Sequence, residues 1–294
     1  MGGAGTGARH ESSAAVATAK RVFRTQGAYL GYVAWPMTER PLCLLSNDDG
    51  YASAGIHAMR EALAEHADVI VVAPELEQSA SSHALSLRRS LRLRAVQDGV
   101  YALDGTPADC VYVALHAGTR VLPRRPDVVV SGINHGLNLG QDAFYSGTVA
   151  AAREGALRGI PAVATSAASV SDLPRVAKAT ARVVLTLLEV HAAPARGVLF
   201  NLNFPKGWAG SLRATRVGTR IYEERVEFRK DPYGREYLWL GGPGVRHEKN
   251  PGSDTEAYDE GVASLSSLIL DLTSKVDAGV ARSVVEKLGG KIST

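Results

Sequence analysis

Sulfur is scarce in this chain. It holds two cysteines in 294 residues. Cys43 lies in an apolar run and Cys110 in a helical stretch, and neither belongs to a Cys-x-x-Cys or Cys/His spacing. That pattern argues against a structural zinc site or a disulfide framework. Unpaired thiols fit a reducing, cytoplasmic compartment. No stretch approaches the ~20 consecutive apolar residues that a membrane-spanning helix needs, so no membrane partner is expected. A Walker A sequence and a Gly-x-Ser-x-Gly elbow are both missing. With 30 glycines in the chain, loose Gly-x-Gly matches carry no information.

A strong charge bias is also missing. The formal net charge is +3, and residues 1–40 account for it with five basic and two acidic side chains; the rest carries 28 of each sign. A balanced globular part argues against a dedicated nucleic-acid surface. Residues 1–40 are rich in Ala, Gly, Ser and Thr and show no strand or helix period. They are expected to form a flexible extension. Their acid-poor, Arg-containing composition overlaps with that of transit peptides, but they lack the apolar core of a secretory signal.

From residue 41 short apolar runs alternate with helical patterns. Leu42–Leu45, Asp68–Pro74, Asp127–Gly132, Pro161–Ser166 and Gly197–Asn203 read as buried strands. Ile56, Met59 and Leu63 recur at helical spacing, Thr148–Leu157 is Ala-rich without proline, and 173–191 carries Val176, Val183, Val184, Leu187 and Leu188. This alternation implies an α/β, Rossmann-like parallel sheet with helices on both faces. After about residue 210 the character changes. The stretch Arg216–Trp239 is charged and aromatic around the turn signal Asp231-Pro232-Tyr233-Gly234, which predicts a hairpin. An apolar run from Leu265 to Leu272 and a closing helix over 276–288 follow. The expected organisation is an extension (1–40), a catalytic core (41–210), and a C-terminal hairpin and oligomerisation arm continuous with it (211–294).

The chemistry sits at the ends of the strands, where open parallel sheets bind ligands. The first strand runs into Ser46-Asn47-Asp48-Asp49-Gly50. Two adjacent acids there repel unless a cation lies between them, which suggests a hard divalent ion on oxygen ligands. An Asx-type turn capping the next helix explains the same residues. The second strand is followed by Gln78-Ser79-Ala80-Ser81-Ser82-His83, and the third by Asn134-His135-Gly136-Leu137-Asn138. Convergence of Asp48, Asp49, Ser79 and Asn134 gives an all-oxygen set suited to Mg²⁺ or Mn²⁺. Tyr145-Ser146-Gly147-Thr148 opens the Ala-rich helix. A glycine between two hydroxyls at a helix N-terminus suits an anion; an ordinary N-cap reads the same way. His83 and His135 sit in the same loops, and either can act as an acid near neutral pH or simply be a surface loop residue. The sequence does not identify the leaving-group acid, for which His83 is a weak candidate.

Several of these segments together resemble the SurE (survival protein E) nucleotidase family. They are Ser46–Gly50, Ala73–Ser79, Gly105-Thr106-Pro107-Ala108-Asp109-Cys110, Ser131–Gly140, Tyr145–Thr148, Asn201–Pro205 and Gly252-Ser253-Asp254-Thr255. The match spans roughly residues 41–275, in order. Where the family has a basic residue after the second strand's proline, this chain has Leu76. The resemblance implies a metal-dependent phosphatase that hydrolyses nucleoside monophosphates, a 5′-nucleotidase with 3′-nucleotidase and exopolyphosphatase activity as extensions. By the same resemblance Asp48, Asp49, Ser79 and Asn134 hold one divalent ion per subunit. The resemblance also puts Ser146, Gly147 and Thr148 near the phosphate and Asn138 at a further polar, substrate-binding position in the loop after Asn134, and it implies a homodimer or homotetramer. The mechanism read from these residues makes Asp48 in addition the candidate catalytic group, orienting the attacking water or accepting its proton. A phosphoacceptor receiver domain also uses paired acids, but it needs an aspartate ending the third strand, where this chain offers Ser131 or Asn134.

Overall fold

The computed structural model describes residues 40–191, 197–223, 225–242, 244–274 and 277–289. The extension expected over 1–40 lies outside the described residues, Arg40 excepted. The chain runs through β1 (Leu42–Ser46), α1 (Ala54–Ala64), β2 (Asp68–Pro74), β3 (Leu93–Gln97), β4 (Val100–Leu103), α2 (Pro107–His116), β5 (Val128–His135), α3 (Asp142–Tyr145), α4 (Gly147–Leu157), β6 (Ala162–Ala167) and α5 (Leu173–Val190). It continues through β7 (Leu199–Phe204), β8 (Leu212–Thr215), β9 (Arg220–Tyr222), β10 (Val226–Lys230), β11 (Glu236–Leu240), β12 (Val245–His247), α6 (Asp254–Asp259), β13 (Ala263–Leu268) and α7 (Ala278–Lys287).

Among the described residues, nine strands form one sheet in the order β3-β4-β2-β1-β5-β6-β7-β13-β8. The strands from β4 to β7 are parallel, whereas β3 and β13 run antiparallel to their neighbours β4 and β7. The protein is thus α/β with a parallel-dominated sheet, as the alternating runs imply. The apolar run that begins near Leu265 is β13, the reversed strand near the far edge. With β8 it carries the sheet past residue 210.

Strand periodicity explains the two-sided burial. Along β1, Leu42 and Leu44 enter one apolar cluster with α2 and α4, while Cys43 and Leu45 enter another with α1 and α5. A strand covered on both faces has no polar side to show, which is why it reads as an unbroken apolar run. Complete burial of Leu44 and Leu45 contributes roughly 1.5–3 kcal/mol each. On α5, Val176, Ala177, Thr180, Ala181, Val184 and Leu187 form the buried stripe. Helix α4 packs closer because its side chains are small: a Cβ on Gly155 would come within 2.5 Å of Val129 Cγ2.

The C-terminal segment also forms the expected hairpin, β10 against β11, with Phe228 opposite Leu238 and Glu227 opposite Trp239. Strand β9 pairs separately with β12. Among the described residues, no helix is long and apolar enough to cross a membrane.

Candidate active site

The carboxyl ends of β1 and β5, the loop after β2 and the start of α4 meet at one cleft of about 650 Å³. Asp48, Ser79, Asn134, Asn138 and Ser146 line it together. Asn47 makes the turn that leaves Asp48 and Asp49 available. Its Nδ2 donates to the Gly50 carbonyl (2.9 Å) and to Ser53 Oγ (2.8 Å). Ser53 is the N-cap of α1, so neither aspartate is needed as a helix cap.

Asp48 is almost wholly buried. Its Oδ1 accepts a hydrogen bond from the Thr148 hydroxyl, and its carbonyl accepts from the Gln78 N–H at 2.7 Å, which ties the Ser79 loop to the end of β1. Burial pushes the Asp48 carboxyl up to about 6; the Thr148 hydrogen bond opposes the shift and the neighbouring Asp49 charge adds to it. Asp49 is half-buried and accepts from the His135 N–H at 3.2 Å. Its carboxyl is also raised, first by burial and then by Glu77. Desolvated neighbouring acids with raised affinity for protons are a site that a cation would relieve.

The other oxygen donors come from distinct devices. Ser79 sits on a turn whose Ala80 has a left-handed backbone, φ 57°, and its hydroxyl donates to Glu77 at 2.7 Å. Asn134 follows a register irregularity between Ser131 and Asn134 in the pairing of β5 with β6; such breaks re-aim side chains beside sites. Among the described residues, no three His, Cys, Asp or Glu side chains gather as a metal cluster. The donor set is two carboxylates with one hydroxyl and one amide, all hard oxygens, and it fits Mg²⁺ or Mn²⁺.

The residues expected at the phosphate divide. Ser146 lines the cleft and caps α4 by accepting from the Val149 N–H at 3.1 Å. Gly147 packs under the site: a Cβ there would lie 2.8 Å from Asp48 Cβ and 2.9 Å from Ser81 Oγ. Thr148 is fully buried and stands outside the cleft lining, with its hydroxyl engaged by Asp48. Asn138 is held from three sides. Its N–H donates to Asn203 Oδ1 (2.9 Å), its carbonyl accepts from Asn201 Nδ2 (2.7 Å), and its own Nδ2 donates to Ser166 Oγ (2.8 Å). His83 does not line the cleft; its Nε2 lies 2.8 Å from Glu154 Oε2 on α4, and Arg158 holds the other oxygen of that carboxylate.

Sequence reasoning missed the opposite wall of the cleft, Thr219–Tyr222. Arg220 and Tyr222 both donate to Asp142 Oδ2, and the Arg220 N–H donates to Gln141 Oε1 at 2.9 Å. The buried Asp254 carboxylate joins the two walls by accepting from the Gly140 N–H (3.0 Å) and the Gly218 N–H (2.7 Å). The one sequence signal for this part was the Gly252–Thr255 motif.

An open α/β sheet with a desolvated acid pair beside a helix start defines a class of protein: an α/β fold with its polar cleft at the strand ends, where such sheets bind ligands. Comparison with known proteins gives the particular family. The model of the family described as "Survival protein SurE" matches residues 43–224. The "5′-nucleotidase SurE" of Sorangium cellulosum (strain So ce56) is 59% identical over 244 residues, 82% of this chain and 95% of that protein. The protein of the same name from Vibrio cholerae serotype O1 is 40% identical over 237 residues, 79% of this chain and 92% of its own length. A solved structure, the SurE protein from Aquifex aeolicus, superimposes with a TM-score of 0.70 at 36% identity, covering 83% of this chain and 99% of that one. This chain belongs to the SurE family.

The burial of Asp48 has a cost that can be measured. Its native carboxyl titrates near 6, above the usual 3.8, so the folded state holds its proton more tightly than the unfolded state. In metal-free protein this contribution is fully present below about pH 4 and is lost as pH rises towards 6. Asp48→Asn keeps an acceptor for Thr148 and removes the charge. The variant is expected to be more stable than the wild type at pH 7, by about 3 kcal/mol, and nearly equal to it at pH 4. Thermal or urea melts at both pH values in EDTA check this.

Proposed function

We propose that this chain is a divalent-metal-dependent phosphomonoesterase that hydrolyses nucleoside 5′-monophosphates to nucleoside and phosphate. The observation that carries the reading is buried Asp48, which lines the cleft with Ser79 and Asn134, next to half-buried Asp49, which is tied to the end of β5 through the His135 N–H and stands outside the cleft lining. Burial raises the pKa of both carboxyls. Membership of a family whose relatives are named 5′-nucleotidase supports the substrate. In this reading Asp48, Asp49, Ser79 and Asn134 hold one Mg²⁺ or Mn²⁺ per subunit. When bound, the ion supplies Lewis acidity at a phosphate oxygen and lowers the pKa of a coordinated water.

The chain's own residues do the rest. Thr148 fixes one oxygen of Asp48, leaving the other to orient the attacking water and take its proton. The water oxygen bonds to phosphorus in line, the bond from phosphorus to the nucleoside oxygen breaks, and that oxygen leaves with a proton from solvent. The N-terminal turn of α4, capped by Ser146, stabilises the charge on the phosphate oxygens through its N–H groups and dipole. Gly147 lets the helix start approach Asp48 this closely. Asn138 borders the same pocket on a loop fixed by Asn201 and Asn203. The same in-line hydrolysis extends to 3′-monophosphates and to the end group of polyphosphate. Two free, buried thiols, Cys43 and Cys110, support a cytoplasmic setting.

Asp49→Asn removes a charge at constant volume. It is expected to lower phosphate release from AMP with Mn²⁺ by at least about a hundredfold, about 2.7 kcal/mol of barrier, with an unchanged circular dichroism spectrum. A malachite-green assay over nucleoside monophosphates, with and without EDTA, reads this out. Turnover near wild type, or wild-type turnover indifferent to EDTA, contradicts the proposed site.

The assembly belongs to the same reading: a homodimer or homotetramer. Phe228, Leu238, Trp239 and Leu240 on the β10–β11 hairpin are all exposed, Leu240 at 79%. A lone two-stranded hairpin is marginal in water, and contiguous exposed apolar surface marks an interface. Light scattering at micromolar concentration is expected to give a dimer at least. Replacing residues 226–240 by a short Gly-Ser turn is expected to lower the mass. A monomeric full chain contradicts the assembly; an undiminished oligomer after the replacement contradicts the hairpin's part in it.

A further inference from the structure

The acid end takes up only part of the cleft. A volume of about 650 Å³ is that of a pocket for a whole small molecule, far more than a phosphate group requires. The cleft lining also carries Ile221 and Tyr222 of β9, 42% and 40% exposed, and Tyr145 at the end of α3, 65% exposed. Aromatic and branched surface left open inside a polar cleft is a place for a flat, weakly hydrated group.

The wall is fastened where it stands. Asp142 accepts from both Arg220 and Tyr222, and Gln141 exchanges hydrogen bonds with the backbone of Arg220 in both directions. The Arg220 guanidinium lies 5.3 Å from the centre of the Tyr222 ring, so ring and cation form one stacked unit. The Arg220 charge is matched by Asp142, an ion pair in which both side chains are less than one-fifth exposed. The wall therefore offers flat apolar surface without net charge. That suits an uncharged ring. A chain of further phosphates would need unpaired cations there.

We propose that Tyr145, Ile221 and Tyr222 form the nucleobase subsite of this enzyme, with Arg220 and Asp142 as positioning residues that hold Tyr222 in place. The proposal rests on the nucleotidase reading and adds to it the part of the protein that recognises the base. Stacking of a base on an aromatic side chain is indifferent to which base is present, because every base has a flat face. The subsite thus predicts a preference for nucleotides as a class over sugar phosphates.

The test compares AMP with ribose 5-phosphate, which has the same ester and the same sugar but no base. The full-length enzyme with Mn²⁺ is expected to favour AMP in kcat/KM. Tyr222→Ala is expected to reduce the AMP-to-ribose-5-phosphate ratio about tenfold, chiefly through KM for AMP. Arg220→Lys, which keeps the charge and loses the planar fork, is expected to shift the ratio in the same direction by a smaller factor. A loss of fold would lower both substrates together and leave the ratio where it was, so melting curves accompany the kinetics and Tyr145→Ala provides a second probe from a different element, α3. Hydrolysis of both esters with the ratio unmoved in folded Tyr222→Ala and Tyr145→Ala overturns the subsite and leaves the nucleotidase reading standing. Release of phosphate from neither ester by the wild type overturns that reading and the subsite with it.

Discussion

Two carboxylates on consecutive residues, lifted out of water at the end of a buried strand, are the constraint on which the rest of the structure depends. Asp48 is nearly inaccessible, and among the described residues its one hydrogen-bonding side-chain partner is the neutral Thr148. Among the described residues, no Lys or Arg forms an ion pair with it or with Asp49. Such a pair disfavours its own ionised state, and both pKa values move upwards accordingly. A fold keeps such a feature only if its surroundings are rigid enough to enforce it. Here they are the central strand β1, with parallel neighbours on each side, and two apolar clusters covering its faces.

The periphery serves the same point by long-range ties. Thr148 reaches Asp48 across 100 residues of sequence, and Asp142 meets Arg220 across 78. The Asp254 carboxylate fastens the Gly140 loop and the Gly218 segment to each other. The cleft therefore has one wall from the parallel core and one from the C-terminal segment, which are held together by buried polar contacts. Near the strand ends, the buried hydroxyls of Ser46, Ser131 and Thr165 have no hydrogen-bond partner among the described residues.

Much of this was legible in the sequence because it is local. A doubly covered strand has to be continuously apolar, so β1, β2, β5, β6 and β7 stood out, and with them the loops that carry Asp48, Ser79 and Asn134. Where each hydroxyl at the start of α4 is directed was not legible. Both look like cap or anion-binding groups in sequence, yet Ser146 caps the helix and Thr148 turns to Asp48, a choice made by a strand far away in the chain. The edge strand β3 is not legible because it is exposed along its whole length, with no buried face to give it a period, and its neighbour β4 is only four residues long. The Arg220-Ile221-Tyr222 wall was read as part of the hairpin arm, since three residues of strand carry no sign of the cleft they border.

The central claim is that Asp48, Asp49, Ser79 and Asn134 form one site for a divalent cation. The most direct measurement is anomalous diffraction from crystals of the protein grown with Mn²⁺. The account predicts a single strong peak per subunit within coordinating distance of the Asp48 and Asp49 carboxylates, absent from crystals of Asp49→Asn grown under the same conditions. A well-ordered cleft with no peak at these carboxylates, or a peak held by other residues, would contradict it.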